Sequence, residues 1–135
     1  MMRWIIAYIA SGAAFLAGDI VWLTVMGPRL YRPAIGPLLA DKMNPAAAVA
    51  FYLLYLVGVV AFGVAPGLRE GGWTRSLAWG ALFGLIAYAT YDLTNQATLK
   101  LWPTRLSLAD MAWGAAITAA ASAAGCAAAL AVGKR

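Results

Sequence analysis

Five acidic side chains are spread along 135 residues: Asp19, Asp41, Glu70, Asp92 and Asp110. Two of them interrupt hydrophobic sequence, Asp19 in GDIVWL and Asp92 in YDLTN. A carboxyl group in such a setting is costly to bury unless its charge is compensated, so it can hold a proton, pair with a cation or amine, or exchange protons with a substrate. Residue counts exclude other chemistries. There is no histidine, which removes Ser-His-Asp catalysis, histidine-ligated haem and most zinc sites. Cys126 is the only cysteine, so no internal disulfide and no thiol metal centre can form. No metal and no cofactor is expected. Retinal is disfavoured because no lysine lies deep in an apolar stretch to form a Schiff base.

The elements that must position these acids follow from composition. The chain is 64% hydrophobic and 11% charged, against about 45–50% and about 25% in soluble domains. Four stretches approach the roughly 20 apolar residues that cross a bilayer: Trp4–Met26, Pro45–Val64, Leu77–Thr98 and Leu108–Val132. The expectation is an all-α, four-helix transmembrane bundle forming one integral membrane domain over residues 1–135. Helix-stop chemistry separates the spans at Gly27-Pro28, Gly36-Pro37 and Pro45, at Pro66-Gly67 with Gly71-Gly72, and at Pro103. The first stretch is too long for a cleaved signal segment and reads as a retained span. The net charge of +5 suits anionic lipid headgroups, with no basic-aromatic cluster for nucleic acid. Arg3, Arg69, Arg75, Lys134 and Arg135 fall on one side, and Arg29, Arg32, Lys42, Lys100 and Arg105 on the other. Equal numbers leave the orientation undetermined by the positive-inside rule.

An internal repeat relates the two halves. AFLAGDI (14–20) matches AYATYDL (87–93), and LLADKM (38–43) matches SLADMA (107–112). The order suggests two duplicated helical hairpins in parallel repeat. Counting at 1.5 Å per residue places Asp19 and Asp92 about 10 Å inside the same membrane face. Asp41 and Asp110, at the starts of the second and fourth spans, belong to that side, and Arg29, Arg32 and Arg105 rim it. Asp-x-x-Trp spacing puts Asp19 beside Trp22 and Asp110 beside Trp113. Tyr88, Asp92 and Asn95 share a face of the third span. Asp110, Gly114, Thr118, Ser122 and Cys126 form a small-residue line, and Gly80 and Gly84 another, which let helices pack closely. Trp4, Trp73, Trp79 and Trp102 near span ends read as interface anchors.

Two readings of the acids stay open. In one they accept hydrogen bonds from Trp22, Trp113, Tyr88 or Asn95, or pair with rim arginines, and hold the bundle together. In the other, Asp19, Trp22, Tyr88, Asp92, Asn95, Asp110 and Trp113 line a polar pocket that opens to one side. Asp110 in a first helical turn would also serve as a cap or dipole partner, and Asp41 reads as a solvated loop residue. As a pocket, the site would bind or carry a proton, a cation or an amine-bearing small molecule, and a homodimer would be one way to complete a pathway. Alternatively the chain is a lipid-modifying membrane enzyme or an accessory to one, with the carboxylates doing acid–base work and Arg29, Arg32 or Arg105 receiving phosphate. A structural subunit of a larger membrane complex is the third reading. Lack of histidine and of an activated serine or cysteine weighs against independent catalysis.

GDIVWL, FYLLYLVG, FGLIAYATYDLTNQATLKLW and DMAWG, in this order and spacing, resemble a bacterial family of predicted membrane proteins, domain of unknown function 2177. The resemblance covers nearly the whole chain, with the YDLTN block its most specific part. It implies a small four-helix, multi-pass protein of the bacterial inner membrane and carries no established activity.

Overall fold

The computed structural model describes residues 1–133, so Lys134 and Arg135 of the charge comparison lie outside the described residues. Among them there are helices and no strands. The first helix, Met2–Met26, does not stop at Gly27-Pro28 as the sequence predicts. It continues through a wide turn, Gly27–Tyr31, in which the Arg32 N–H bonds the Gly27 carbonyl five residues back. A helical turn, Arg32–Ile35, and a tight one, Gly36–Leu38, follow. Proline has no N–H and its ring crowds the carbonyl four residues earlier. Widening the turn accommodates both without freeing the chain.

The second helix behaves the same way. Asn44 caps it, its side chain accepting from the Ala47 N–H at 3.2 Å, and Pro45 takes the first position, where no N–H is needed. Pro45–Gly58 passes into a wide turn, Val59–Val64, and then Ala65–Arg69. Of the break expected at Pro66-Gly67 with Gly71-Gly72, the glycine pair therefore holds and Pro66-Gly67 does not. The wide turn comes first and leaves Pro66 at the start of a new helical segment, where it is tolerated. The chain turns at Glu70–Gly72, with φ +81° at Gly71 and +65° at Gly72, values that favour glycine.

The third helix is Gly72–Thr98 and the fourth Thr104–Gly133. Three of the four helical stretches, Met2–Leu38, Pro45–Arg69 and Thr104–Gly133, are long and apolar enough to cross a membrane. The third has the length, 27 residues or about 40 Å. Arg75, Thr90, Asp92, Thr94, Asn95 and Gln96 make it more polar than the expected span. Its buried residues are Ser76, Gly80, Gly84 and Asp92, so it turns a small and polar face inward.

That face meets the fourth helix, which is the centre of the bundle. A side chain at Gly84 would run into the Gly114 carbonyl and Thr118, and one at Gly80 into Ser122. On its other side the fourth helix packs antiparallel to the first, with Gly18 against Ile117 and Gly125 against Ser11 and Ala7. The Ser11 hydroxyl donates to the Ala121 carbonyl at 3.0 Å. The second helix closes on the third and fourth along Val59–Arg69. Over Pro45–Gly58 its backbone draws away from the third, and only side chains such as Tyr55 and Phe83 meet. The bundle is thus tight at one end and parted at the other.

At the parted end Leu30, Ala34 and Ile35 pack on Trp102 and Leu106. Trp102 is buried there, its Nε1 donating to Ser107 Oγ at 3.0 Å, and is not the interface anchor expected. Trp4, Trp73 and Trp79 are exposed.

Candidate functional site

The wide turn after Met26 decides the site, because it brings Tyr31 onto the fourth helix. Tyr31 donates its hydroxyl proton to Asp110 Oδ1 and accepts from Trp22 Nε1 at 2.9 Å. Asp19, on the first helix, accepts from the Tyr52 hydroxyl at Oδ2 and from Trp113 Nε1 at 3.4 Å at Oδ1. Trp22 and Trp113 stack face to face, centroids 4.6 Å apart and planes 4° from parallel. The two Asp-x-x-Trp pairs are therefore exchanged. Each indole stacks on the other and serves the opposite acid, Trp113 directly and Trp22 through Tyr31.

Asp110 is in the second turn of the fourth helix, which begins at Thr104, so it does not cap or begin that helix. Both acids are buried, Asp19 at 8% and Asp110 at 6% exposure. Asp92 is fully buried. It lies against the Asp110 carboxyl, close enough for the two to share a proton, and no other group donates to its oxygens. Its backbone carbonyl accepts from Ser107 Oγ at 3.4 Å. Asp41, the partner of Asp110 in the repeat, is exposed in the connection before the second helix.

Asp19 and Asp110 open on a cavity of about 410 Å³. Its other polar lining is four tyrosines, 31, 55, 88 and 91, with Leu23, Phe51 and Ala87 completing it. Tyr55 is fixed by a 2.8 Å hydrogen bond to Thr118 Oγ1. Tyr88 lies over Gly114, where a side chain would overlap its ring, so the glycine of DMAWG makes room for it. Clefts of about 610 and 590 Å³ at the tight end are wider, but have no buried ionisable group in their walls.

Of the residues expected at a site, Asp19, Tyr88 and Asp110 line the cavity, Trp22 and Trp113 sit behind it, and Asp92 backs Asp110. Asn95 is half-buried and lines no part of it. Arg29, Arg32 and Arg105 are exposed, and none lines it. Arg105 borders a separate shallow cleft of about 370 Å³ with Lys100 and Trp102. Among the described residues the one ion pair joins Arg75 to Glu70 at 3.1 Å, so the three buried acids are not paired with rim arginines. Among those residues no three metal-ligating side chains converge.

Sequence reasoning missed Tyr31, Tyr52, Tyr55 and Tyr91. Tyr52 and Tyr55, three apart in FYLLYLVG, were a usable signal, since apolar helix faces rarely place two hydroxyls together without partners. Tyr31 lies just past a Gly-Pro pair read as a stop.

The arrangement can neutralise positive charge and hold it against aromatic faces. The chain belongs to the family of predicted membrane proteins DUF2177, whose sequence model matches residues 4–127 and so takes in every residue of the cavity. No curated protein and no solved structure matches it.

Proposed function

We propose that this member of a predicted membrane protein family binds an organic cation, an amine-bearing small molecule, in the Asp19–Asp110 cavity as the recognition step of its transport. The observation that carries this is two buried carboxyls facing one cavity with hydroxyl and indole donors but no cationic side chain. An uncompensated carboxylate away from water favours a counter-charge strongly. The tyrosine walls add cation–π attraction of about 0.5–2 kcal/mol per well-placed ring. Acid–base work on a phosphorylated headgroup has less support, because Arg29, Arg32 and Arg105 stand apart from the acids.

Calorimetric titration of the protein in lipid nanodiscs with benzyltrimethylammonium tests the reading. Saturable binding is expected in the wild type. Asp19→Asn and Asp110→Asn should each weaken it about tenfold or more, which corresponds to about 1.4 kcal/mol, with helical circular dichroism retained. Absence of binding in the wild type, or unchanged binding in both folded variants, would remove the proposal.

A further inference from the structure

The acidic cavity is not closed. Phe51 and Tyr55 belong both to its lining and to an apolar cleft of about 470 Å³ that runs on past Gly58. That cleft in turn shares Ala61, Phe62 and Phe83 with the 610 Å³ cleft at the tight end. The three adjoin in series along the outer seam between the second and third helices, from where the backbones part to where they close. Stacked rings make its floor, Tyr55 on Phe83 at 5.4 Å and Phe62 tilted on Phe83 at 5.4 Å. Phe51, Phe62 and Leu54 are 49%, 59% and 73% exposed, so on a membrane-spanning helix the groove faces hydrocarbon. From Phe51 to Phe62 it covers about 16 Å of helix.

Resting on the cation-binding reading, we infer that the ligand is a long-chain amine: its ammonium group sits between Asp19 and Asp110, and its hydrocarbon chain lies in this groove. Charge fixes the direction. At the far end Arg75 is already paired with Glu70, whereas the carboxyls at the near end have no cation. Charge also selects the class. A phospholipid would bring its phosphate against Asp19 and Asp110, which like-charge repulsion disfavours, while an amphiphile with an amine and no phosphate meets only complementary groups. Such a molecule reaches the acids sideways from the bilayer, because the walls beside them are apolar and lipid-facing.

The experiment uses dodecylamine with a photoreactive diazirine midway along its chain, irradiated with the protein in nanodiscs, and labelled peptides are mapped. Labels should concentrate on residues 51–62 and 79–86 and fall to background in Asp19→Asn/Asp110→Asn and under excess butylamine. Ala61→Trp, which fills the groove at an exposed position, should suppress labelling while leaving calorimetric butylamine binding unchanged. Labels spread evenly over lipid-facing residues such as Ile5, Ile9 and Leu108, with butylamine still bound, would overturn the groove assignment alone. Labels confined to the groove but indifferent to the double variant would overturn the headgroup assignment. Failure of butylamine to bind while benzyltrimethylammonium binds would overturn the amine assignment alone, and failure of both would remove the cation reading and this inference together.

Discussion

Tyr31→Phe and Tyr52→Phe remove the same atom from the same residue type, yet the structure assigns them different costs. Tyr52 makes one hydrogen bond, to Asp19, and Asp19 keeps Trp113 as a second donor. Tyr31 is a relay. Without its hydroxyl, Asp110 loses the one donor it has among the described hydrogen bonds, and Trp22 Nε1 loses its acceptor. Interhelical hydrogen bonds in membrane proteins average about 0.6 kcal/mol and reach about 1.7, and charged acceptors belong toward the upper end. Tyr52→Phe should therefore cost about 1 kcal/mol. Tyr31→Phe, losing one bond to a carboxylate and one between neutral groups, should cost about 2 kcal/mol. The Trp22–Trp113 stack is untouched in both, so neither variant should create a cavity. Reversible unfolding in mixed micelles, followed by near-ultraviolet circular dichroism as the denaturing detergent fraction rises, measures the difference. Equal losses, or a greater loss for Tyr52→Phe, would refute the relay and with it the claim that the wide turn delivers a donor to Asp110.

Three further substitutions test the packing and the third acid. Gly84→Ala puts a methyl group against the Gly114 carbonyl and Thr118 and should cost about 1–3 kcal/mol by overpacking. Gly36→Ala, with nothing within 4 Å of the added carbon, should be close to neutral in the same unfolding assay, and similar losses at both sites would contradict the helix contact. Asp92→Asn replaces a buried carboxyl that faces the like carboxyl of Asp110, and no other donor, with a neutral amide whose N–H can reach Asp110. It should stabilise the protein by about 1 kcal/mol, and a clear loss of stability would show that Asp92 has a partner of its own.

Much of this arrangement was legible in the sequence because it depends on spacing along single helices. The line from Asp110 through Gly114, Thr118 and Ser122 to Cys126 is buried as its four-residue period demands, and Gly80 and Gly84 meet it. The pairing of indoles with acids was not legible. Asp-x-x-Trp spacing says that two residues share a face, but not which side chain of the opposite helix reaches them. The antiparallel packing of the first and fourth helices exchanges the partners. Gly27-Pro28 and Pro66-Gly67 misled for another reason. In water a Gly-Pro pair ends a helix because solvent satisfies the freed carbonyls. Here the chain keeps its internal hydrogen bonds and widens the turn instead, so neither pair ends the helix. Tyr31, at the end of the first of these turns, could not be placed by a rule that ends the helix before it. Trp102 was misread similarly, since proximity to a helix end does not reveal that the connection folds inward over Leu106.

The polar cluster that closes the hydrophobic part of the third helix resolves into separate roles. Thr90, Thr94 and Thr98 donate back to carbonyls of their own helix, and Gln96 donates to Thr104 Oγ1 at 2.9 Å. The threonines are satisfied locally, which leaves Gln96 Oε1, buried without a partner, and the Asp92 carboxyl as the unexplained members. Packing alone accounts poorly for the three buried acids. An ionised carboxylate offers about four acceptor sites, whereas Asp19 receives two hydrogen bonds and the neighbouring Asp92 and Asp110 receive one between them from outside the pair. A device built only to join helices would place its donors to fill those sites and close the space around them. Here the under-filled carboxyls of Asp19 and Asp110 front an open cavity of about 410 Å³, and rigid indoles and tyrosines hold them at its wall. Acceptor capacity held in place, left without a cation and exposed to an open volume is what the proposed binding of an organic cation would require.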